Sequence, residues 1–431
     1  MNLSRRDLQN IWHPYTQMKN AEVIGIVYGE GSYLYDETGK RYIDAISSWW
    51  VNTHGHAHPY IALKISEQLG KLEHVVFAGF THQPAVELAE RLLVHLPGNQ
   101  KKIFYSDNGS TAVEVAMKMA IQYWRNKGIK RNKIIAFHNA YHGDTFGAMS
   151  VSGRSVFTDA FRDLLFDVVF IETPVKGNEE RAFEELKIAV FRDEPASFIF
   201  EPMVQGAAGM IMYGHEIMDR MVQFCKEQKV ITIADEVMTG FYRTGKFFAT
   251  DYILAKPDIY CFSKGITGGF MALGVTSCTK EIFDAFISDD KTKTLYHGHS
   301  YTANPLACTA AIASLDLYEK EECIENVERI GRKHSEFLNT IQTHSSVRDV
   351  RQLGTILAIE IKTSGNSNYL NPAGDKAYAF FLDKGIIMRP MGNIIYILPP
   401  YCITNDDLDY VYENISTFLD EYMNSYYQNK D

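Results

Sequence analysis

Short, continuously apolar segments alternate with amphipathic helical patterns along most of this 431-residue chain. Such segments are typical of strands in a mostly parallel sheet with helices on both faces, because a half-exposed strand would alternate apolar and polar residues. The segments with this pattern are 103–105, 133–137, 168–171, 197–200, 230–234, 259–262 and 274–276. The pattern predicts an α/β protein with a mostly parallel, doubly wound sheet.

The two ends of the chain have a different pattern from the middle. Near the N-terminus, the stretch GSYLYDETGKRYID carries a turn signal at Thr38-Gly39 between two strand-like runs, which predicts a β-hairpin. After Pro305, a long helical stretch is followed by the strand-like segments GTILAIEI, GIIMRP and NIIYILPP. We therefore predict a large domain over residues 56–305 and a smaller α+β domain over residues 306–431, to which residues 1–55 contribute.

Charge and composition restrict the partners that the chain could have. The formal net charge is −10 at pH 7, whereas binding to nucleic acids or anionic membranes rests on basic patches. No apolar run reaches the ~20 residues of a transmembrane helix, and no apolar stretch of an export signal follows the arginine pair near the N-terminus. The six cysteines contain no CxxC pair and are predicted to be reduced core residues. These features favour a cytoplasmic protein with small-molecule partners.

Ligands of an open α/β sheet bind beyond the carboxyl ends of its strands, so the residues that follow each strand are candidates for a site. After segment 103–105 come Gly109 and Ser110, at the start of a predicted helix. Free backbone amides at a helix N-terminus attract an anion such as phosphate, although a plain helix cap is the alternative interpretation. After segment 133–137 comes a loop with two histidines, His138 and His142, and with Tyr141.

Two further strand ends carry opposite charges. Segment 230–234 leads to Asp235, which needs a partner because a buried lone charge would be neutralised. The partner is either a structural ion pair or a protonated heterocyclic nitrogen. Segment 259–262 leads to Lys264 in a glycine-rich turn. That lysine is either solvated at a strand end or kept as a nucleophile for a carbonyl.

One cofactor would use all of these groups together. Pyridoxal 5′-phosphate carries a phosphate, a pyridine nitrogen and an aldehyde, which match the helix N-terminus, the carboxylate and the lysine. The lysine would hold the aldehyde as a Schiff base, and the aspartate would keep the ring nitrogen protonated so that the ring withdraws electrons. Each feature alone is a weak signal, but their combination predicts a pyridoxal-phosphate enzyme.

The segments ADEVMTGFYRTGKFFA, FSKGITGG, SDNGSTAVEVAMKMA and HGHSYTANPLAC resemble the signatures of the class III aminotransferases, which have the pyridoxal-phosphate-dependent transferase fold type I. The segments WHPYTQM, SSWWVNTHGH, YHGDTFGAMSV and EPMVQGAAGM resemble one branch of that family. This branch converts 8-amino-7-oxononanoate to 7,8-diaminononanoate in biotin biosynthesis, with S-adenosylmethionine as the amino donor. The resemblance runs from about Trp12 to Pro400 and implies a homodimer, a shared active site and ping-pong transfer.

The resemblance also implies roles for individual residues. The catalytic residues would be Lys264, which also moves the proton, Asp235 and Tyr15. The cofactor-binding residues would be Gly109, Ser110, Tyr141, Asp235, Lys264, and, from the neighbouring subunit, His299 and Ser300. The substrate-binding residues would be Tyr15, Trp49, Tyr141, Lys264, Gly298 and Arg389. Arg243 also falls near the site in this family. The chain departs from many relatives at two places: they have Pro-Thr at 299–300, and they have Gly at the position of Tyr242.

Several alternatives stay open at this point. The motif HGHAH places His54, His56 and His58 at a spacing of two, as in metal-dependent amidohydrolases; the alternative is a polar loop that closes the site, and we predict no metal. Within the family, another ω-aminotransferase would also fit. Lysine is an alternative amino donor, because a His-Ser pair at 299–300 is typical of the lysine-using type. Without the resemblance, simple core aromatics are the alternative interpretation of Trp49-Trp50, and an ordinary surface charge is the alternative interpretation of Arg389.

Overall fold

A computed structural model describes residues 2–363 and 367–428 of the chain. Its strands are β1 (Ile26–Glu30), β2 (Tyr33–Asp36), β3 (Arg41–Asp44), β4 (Gln100–Ser106), β5 (Ile134–Phe137), β6 (Val169–Ile171), β7 (Ser197–Phe200), β8 (Val204–Gln205), β9 (Ile211–Met212), β10 (Ile231–Asp235), β11 (Ile259–Phe262), β12 (Gly274–Thr279), β13 (Val347–Leu353), β14 (Ile356–Ile361), β15 (Ile386–Ile387) and β16 (Ile394–Ile397).

Its helical segments are α1 (Leu3–Asn10), α2 (Ser47–Trp50), α3 (Pro59–Leu69), α4 (Gln83–His95), α5 (Gly109–Asn126), α6 (Phe146–Val151), α7 (Glu179–Asp193), α8 (His215–Glu227), α9 (Lys280–Asp284), α10 (Pro305–Tyr318), α11 (Glu321–Ile341), α12 (Ala373–Asp383) and α13 (Asn405–Gln428). Short 3₁₀ turns cover Met18–Asn20, Asp159–Leu164, Ala249–Tyr252, Lys264–Thr267 and Lys291–Lys293.

A seven-stranded sheet forms the centre of the molecule, in the order β4-β12-β11-β10-β7-β5-β6. The five strands from β11 to β6 are parallel to one another, whereas β12 runs antiparallel to both of its neighbours. Successive residues of β7 alternate between two cores: Phe198 and Phe200 pack in one and Ile199 in the other. Because both faces of the sheet are covered, its central strands are continuously apolar. The predicted mostly parallel α/β sheet is confirmed.

The remaining strands bring the two ends of the chain together. The predicted hairpin is present, with β2 and β3 paired antiparallel across residues 37–40, and β3 then pairs in parallel with β15, with Ile43 opposite Ile386. The four-stranded sheet β1-β2-β3-β15 therefore contains both N-terminal and C-terminal residues, beside the three-stranded sheet β13-β14-β16. The exact domain boundaries at residues 55 and 305 stay predictions.

Two general features concern the whole of the described chain. Over residues 2–363 and 367–428, no helix combines the length and the apolarity needed to cross a membrane. All six cysteines are free thiols, and five of them are buried, as predicted for core residues, whereas Cys402 is exposed.

Candidate active site

A cavity of about 780 Å³ lies at the carboxyl edge of the parallel strands. Parallel strands end at the same edge of a sheet, so the loops after β4, β5, β7, β10 and β11 converge there. Predicted site residues from across the chain line this single cavity: Tyr15, Trp49, Gly109, Ser110, Tyr141, Asp235, Lys264 and Arg389.

Lys264 opens the 3₁₀ turn that follows β11 and has a left-handed backbone, with φ of 46°. Its Nζ lies 4.7 Å from the ring centroid of Trp50. Burial lowers the pKa of Lys264 to about 8, and the nearby charges of Asp235 and Glu201 oppose this only in part. Desolvation disfavours the ammonium form, so a neutral, nucleophilic amine is accessible near neutral pH. The lysine at this strand end is therefore not fully solvated, and no carboxylate among the described residues forms a salt bridge with it.

Asp235 at the end of β10 has a histidine as its partner. Its Oδ2 lies 2.7 Å from Nδ1 of His142, and its Oδ1 accepts a hydrogen bond of 3.1 Å from the amide of Val237. Both the aspartate and the histidine are buried. Nε2 of His142 has no hydrogen-bond partner among the residues that the structure describes. The sequence placed His142 in a strand-end loop but did not indicate this pairing.

A second buried carboxylate, Glu201, follows β7 and holds two loops of the site. It accepts hydrogen bonds of 3.0 Å from the amide of Tyr141 and 2.9 Å from the amide of Gly206. Burial raises the pKa of Glu201 to about 7; Asp235 also raises it, while His142 lowers it. Glu201 therefore connects the loop that carries Tyr141 to the sheet, a role that its position after a strand did not reveal.

The N-terminus of α5 offers an anion-binding position. A capping box joins Asn108 and Thr111 and uses the amide of Thr111, while the next amide bonds to the carbonyl of Asn108. No described group accepts from the amides of Gly109 and Ser110. A Cβ on Gly109 would come within 2.8 Å of Val237, so only glycine allows this close approach. A plain helix cap and an anion site are alternative interpretations of the sequence at this point. The two are compatible, because they use different amides.

The tryptophans of the SSWW motif lie in a backbone segment with a strained, left-handed conformation. The four residues of α2, Ser47 to Trp50, have φ values of 50°, 49°, 83° and 74°. Asp44 holds this left-handed turn, because its buried carboxylate accepts from the amides of Ile46 and Ser48 at 3.2 and 3.0 Å and from the Ser48 hydroxyl at 2.9 Å. Left-handed conformations of non-glycine residues persist where the surroundings over-determine them, often at functional sites.

Arg243 lies behind this turn rather than in the cavity. It is 1% exposed, and its guanidinium donates to the carbonyls of Trp50 at 3.1 Å and Pro399 at 2.9 Å. Arg243 is not among the cavity-lining residues, so its contact with the site runs through Trp50. The neighbouring Tyr242 packs against Phe247 and Tyr318, also outside the cavity lining.

An aromatic wall closes one side of the cavity. The ring of Tyr15 contacts Trp49 and Phe157 at centroid distances of 5.3 and 5.6 Å, and Phe157 contacts Tyr369 at 4.7 Å. The guanidinium carbon of Arg389 lies 4.6 Å from the ring centroid of Trp49. Phe157 and Tyr369 were not predicted, because neither belongs to a motif or a strand end.

The hydroxyl of Tyr15 connects this wall to the loop after β5. It donates to the carboxylate of Asp144 and lies 3.1 Å from the hydroxyl of Tyr141. Burial and the hydrogen bond to Asp144 raise the pKa of Tyr15 to about 12. Tyr15 therefore stays protonated at neutral pH and acts as a hydrogen-bond donor.

Three predicted residues lie outside the cavity of the single chain. Gly298, His299 and Ser300 follow the 3₁₀ turn Lys291–Lys293 and are not among the cavity-lining residues. His299 does approach the cavity mouth, with Nε2 at 4.0 Å from Oδ1 of Asp107. Their predicted contribution to the site of a neighbouring subunit stays a prediction.

Two of the three histidines of HGHAH have hydrogen-bond partners of their own, whereas His58 contacts the ring of His54 at a centroid distance of 6.3 Å. Nε2 of His54 lies 3.0 Å from the Ser314 hydroxyl, and Nε2 of His56 lies 2.8 Å from Asp44. Within the described residues, no three His, Cys, Asp or Glu side chains are grouped so that they could hold a metal ion. His56 therefore contacts the carboxylate that holds the turn of the tryptophans.

The groups around the cavity fit pyridoxal phosphate. The lysine amine, the carboxylate held by His142 and the two free amides of α5 match the aldehyde, the ring nitrogen and the phosphate. Gly143 also supports this fit, because its backbone has φ of 134° and a Cβ there would lie 2.1 Å from the Ser110 hydroxyl oxygen. The loop after β5 can therefore approach the start of α5 only with glycine at this position.

Comparisons with known proteins agree with this assignment. Residues 15–419 match the family model described as aminotransferase class-III. The chain is 45% identical over 421 residues to adenosylmethionine-8-amino-7-oxononanoate aminotransferase of Synechococcus elongatus, covering 96% of this chain and 99% of that protein.

Two solved structures are similar over nearly the whole chain. The crystal structure of adenosylmethionine-8-amino-7-oxononanoate aminotransferase from Methanocaldococcus jannaschii has a TM-score of 0.93 at 39% identity, with 97% and 98% of the two chains covered. An amine transaminase from an uncultivated Pseudomonas species, solved in its PLP-bound form, has a TM-score of 0.89 at 29% identity, with 96% and 98% covered. The chain therefore belongs to the class III aminotransferases, which are pyridoxal-phosphate-dependent enzymes.

Proposed function

We propose that this aminotransferase transfers an amino group from S-adenosylmethionine to the ketone of 8-amino-7-oxononanoate, which yields 7,8-diaminononanoate for biotin biosynthesis. The relatives with that substrate in their names support the choice of acceptor. The structural observation that carries the proposal is the pair of adjacent tryptophans. Trp50 lies under the amine of Lys264, and Trp49 lies under the guanidinium of Arg389.

This pair of contacts suits a long keto acid. The carboxylate of 8-amino-7-oxononanoate would bind Arg389, because a guanidinium forms two parallel hydrogen bonds to a carboxylate. The apolar chain of the acceptor would lie along the indole rings, which gain from covering apolar surface. Its ketone would then reach the neighbourhood of Lys264. A second carboxylate receptor is not needed, because the other end of the acceptor is an amine.

Pyridoxal phosphate supplies, when bound, an aldehyde that takes up the amino group and a ring that withdraws electrons from the reacting carbon. Lys264 would hold the cofactor and, once displaced by the donor amine, its neutral Nζ would take the proton from the donor carbon and would deliver it to the carbon on the other side of the transferred nitrogen. Asp235, oriented by His142, would keep a proton on the ring nitrogen. The amides of Gly109 and Ser110 would bind the phosphate, and Tyr141 would cover the ring.

The same residues serve both halves of a ping-pong reaction. In the first half, the donor would lose its amino group to the cofactor and leave as a keto compound whose oxygen comes from water. In the second half, the acceptor ketone would take the amino group and release its oxygen as water, and Lys264 would move the proton in the reverse direction. In both halves, Tyr15 would keep its proton, donate it in a hydrogen bond to Asp144 and so hold that carboxylate at the cavity wall.

We also propose that the active enzyme is a homodimer. The loop with Gly298, His299 and Ser300 would contribute to the phosphate and substrate positions of the partner subunit. Large side chains beside this loop in the sequence are exposed in the single chain, with Tyr296 at 71% and Tyr301 at 64%. Exposed aromatic side chains in one region are typical of an interface. Sedimentation equilibrium tests this part, and a monomer with full activity would overturn it.

Lysine is the alternative amino donor for the same acceptor. It would need a carboxylate for its far ammonium, and Asp144 is an exposed carboxylate that lines the cavity. The deciding experiment follows the visible absorbance of the cofactor-loaded protein through one turnover. We expect S-adenosylmethionine to bleach the band and 8-amino-7-oxononanoate to restore it. Bleaching by lysine alone would change the donor, and failure of the acceptor to restore the band would overturn the proposed function.

A further inference from the structure

The segment between α9 and α10 has no buried residue over most of its length. From residue 287 to residue 302, every residue is exposed or half-buried in the single chain. The segment includes the 3₁₀ turn Lys291–Lys293 and ends with the loop of Gly298, His299 and Ser300. A segment with few buried apolar contacts depends on its hydrogen bonds for a fixed position. These bonds therefore decide where the loop 298–300 lies.

Two amide side chains of α5 bind the backbone of this segment. Nε2 of Gln122 donates to the carbonyls of Lys293 and Thr294 at 3.2 and 3.0 Å. One turn later on the same helix, Nδ2 of Asn126 donates to the carbonyl of Lys293 at 3.2 Å. The two side chains thus fix the backbone just after the 3₁₀ turn.

Lys118, one turn before Gln122, binds the segment next to the loop. Its Nζ lies 3.1 Å from Nδ1 of His297 and 3.5 Å from the carbonyl of Tyr296. Burial and the charges of Lys118 and His299 lower the pKa of His297, so the ring is neutral and its Nδ1 accepts from the ammonium. Residues four positions apart are neighbours on a helix. Lys118, Gln122 and Asn126 therefore form one row on the surface of α5, which we call the α5 row.

The helix that carries the row is itself firmly packed. Nine residues of α5 are buried, and they pack in the core on one face of the central sheet. The free amides of Gly109 and Ser110 lie at the N-terminus of the same helix. Close-packed interiors deform little, so α5 gives the weakly packed segment 293–297 a rigid support.

The loop at the end of this segment completes no site within the single chain. Gly298, His299 and Ser300 do not line the reaction cavity, and Nε2 of His299 has no hydrogen-bond partner among the described residues. We infer that the α5 row positions this loop for the active site of the partner subunit, an inference that rests on the homodimer of the proposed function. The three side chains are positioning residues that act across the dimer interface, because they hold the segment that ends in His299 and Ser300. Groups that contact a ligand need such a supporting layer to keep their geometry.

The test distinguishes an effect on the partner's cavity from an effect on the subunit's own cavity. The row variant combines Gln122→Met with Asn126→Ala and removes both side-chain amides. Heterodimers are assembled from two differently tagged full-length subunits, one of which carries Lys264→Ala, so that only the other subunit's cavity forms the visible band. In the first heterodimer the row variant is in the Lys264→Ala subunit, and in the second it is in the subunit that keeps Lys264. Titration with pyridoxal phosphate gives the half-saturating concentration for the one competent cavity.

We expect this concentration to rise about tenfold in the first heterodimer and to stay within about twofold of the unsubstituted value in the second. Lys118 is exposed, so Lys118→Met should fold and give the same pattern even if the double variant does not assemble. The matched control is Arg125→Gln, at an exposed position of the same helix outside the row. It should leave both heterodimers within about twofold of the unsubstituted value.

Three results would overturn the inference and leave the proposed transamination intact: a loss confined to the second heterodimer, an equal loss in both, or unchanged affinity in both. Any of them would mean that the α5 row does not serve the partner's cavity. Failure of the unsubstituted subunits to pair would overturn the homodimer. Absence of the visible band from the unsubstituted protein would instead overturn the proposed function.

Discussion

Nδ1 of His142 lies 2.7 Å from Oδ2 of Asp235, although the two residues are 93 positions apart and follow different strands. Both side chains are buried, so the carboxylate that faces the reaction cavity is held by a partner that solvent does not reach. A hydrogen bond to the charged form of a carboxylate favours that form. The histidine is therefore a positioning residue for the group that would keep the cofactor nitrogen protonated.

Replacing this histidine should slow the reaction with little loss of fold. A hydrogen bond to a charged group contributes about 1.5–3 kcal/mol, so His142→Phe should lower kcat about 10- to 100-fold. His142→Asn, which keeps a donor, should recover part of the loss. The visible band of the loaded protein should also change its dependence on pH in His142→Phe. Wild-type kcat and an unchanged spectrum in His142→Phe would show that the pair is only structural.

The reactivity of Lys264 toward the cofactor should have a pH midpoint well below that of ordinary lysine. Burial lowers its pKa to about 8, so the neutral amine that attacks the aldehyde becomes the major form above that pH. Pyridoxal phosphate is added to cofactor-free protein and the visible band is followed in time. Its rate of appearance should rise with pH around a midpoint near 8.

The matched control for this measurement is Lys264→Ala. It should form no such band and should lower turnover by several orders of magnitude, because the nucleophile and the proton carrier are lost together. A midpoint in the normal range of lysine, or a full band in the control, would indicate that another lysine reacts.

Arg389 should affect one substrate more than the other. A lost charge-assisted bidentate contact costs about 1.5–3 kcal/mol, so Arg389→Ala should raise the KM for 8-amino-7-oxononanoate about 10- to 100-fold. The donor half-reaction should change less. Arg389→Lys keeps the charge but not the planar fork, and should give an intermediate KM. Equal losses in the two half-reactions would mean that Arg389 supports Trp49 instead of the acceptor.

His56 should contribute to stability through the turn that carries the tryptophans. Its Nε2 lies 2.8 Å from the buried carboxylate of Asp44, which holds the left-handed residues from Ser47 to Trp50. His56→Ala should lower the free energy of unfolding by about 1.5–3 kcal/mol, measured by urea denaturation. His58→Ala is the control and should change it less, because Nδ1 of His58 has no partner in the described part of the chain. Similar losses in both variants would contradict this assignment.

Substitutions of the adjacent carboxylates Asp235 and Glu236 should have opposite effects, with a loss of rate at Asp235 and a loss of stability at Glu236. Glu236 is fully buried and accepts from the amide and hydroxyl of Thr250, the amide of Ala249 and the hydroxyl of Thr239. Glu236→Gln places an NH₂ group against these donors, which should lower the free energy of unfolding by about 1–3 kcal/mol. Its kcat, measured on folded protein, should stay within about twofold of wild type.

Asp235→Asn provides the matched comparison for Glu236→Gln. It should retain stability and bound cofactor but lose rate, because an amide cannot stabilise a protonated ring nitrogen as a carboxylate does. A rate loss in Glu236→Gln equal to that in Asp235→Asn would show that the two carboxylates act as one unit.

The amino-acid sequence by itself determined the sheet and the groups at its edge. Strands such as β7 and β11 are continuously apolar because both faces are covered, and this local pattern is visible without any knowledge of contacts. Lys264, Asp235 and Gly109 could be predicted to lie together because parallel strands end at a common edge, whatever the details of the packing.

Only the tertiary structure decided what each group contacts. The pairing of His142 with Asp235, the bond from Arg243 to the carbonyl of Trp50 and the contact of Phe157 with Tyr369 join positions far apart in the chain. No periodicity in the sequence predicts such contacts, because they depend on how loops from separate strands pack against one another. The left-handed turn at α2 contains no glycine that would signal it. Its conformation is imposed by Asp44, His56 and Arg243 from outside, and local residue preferences oppose it.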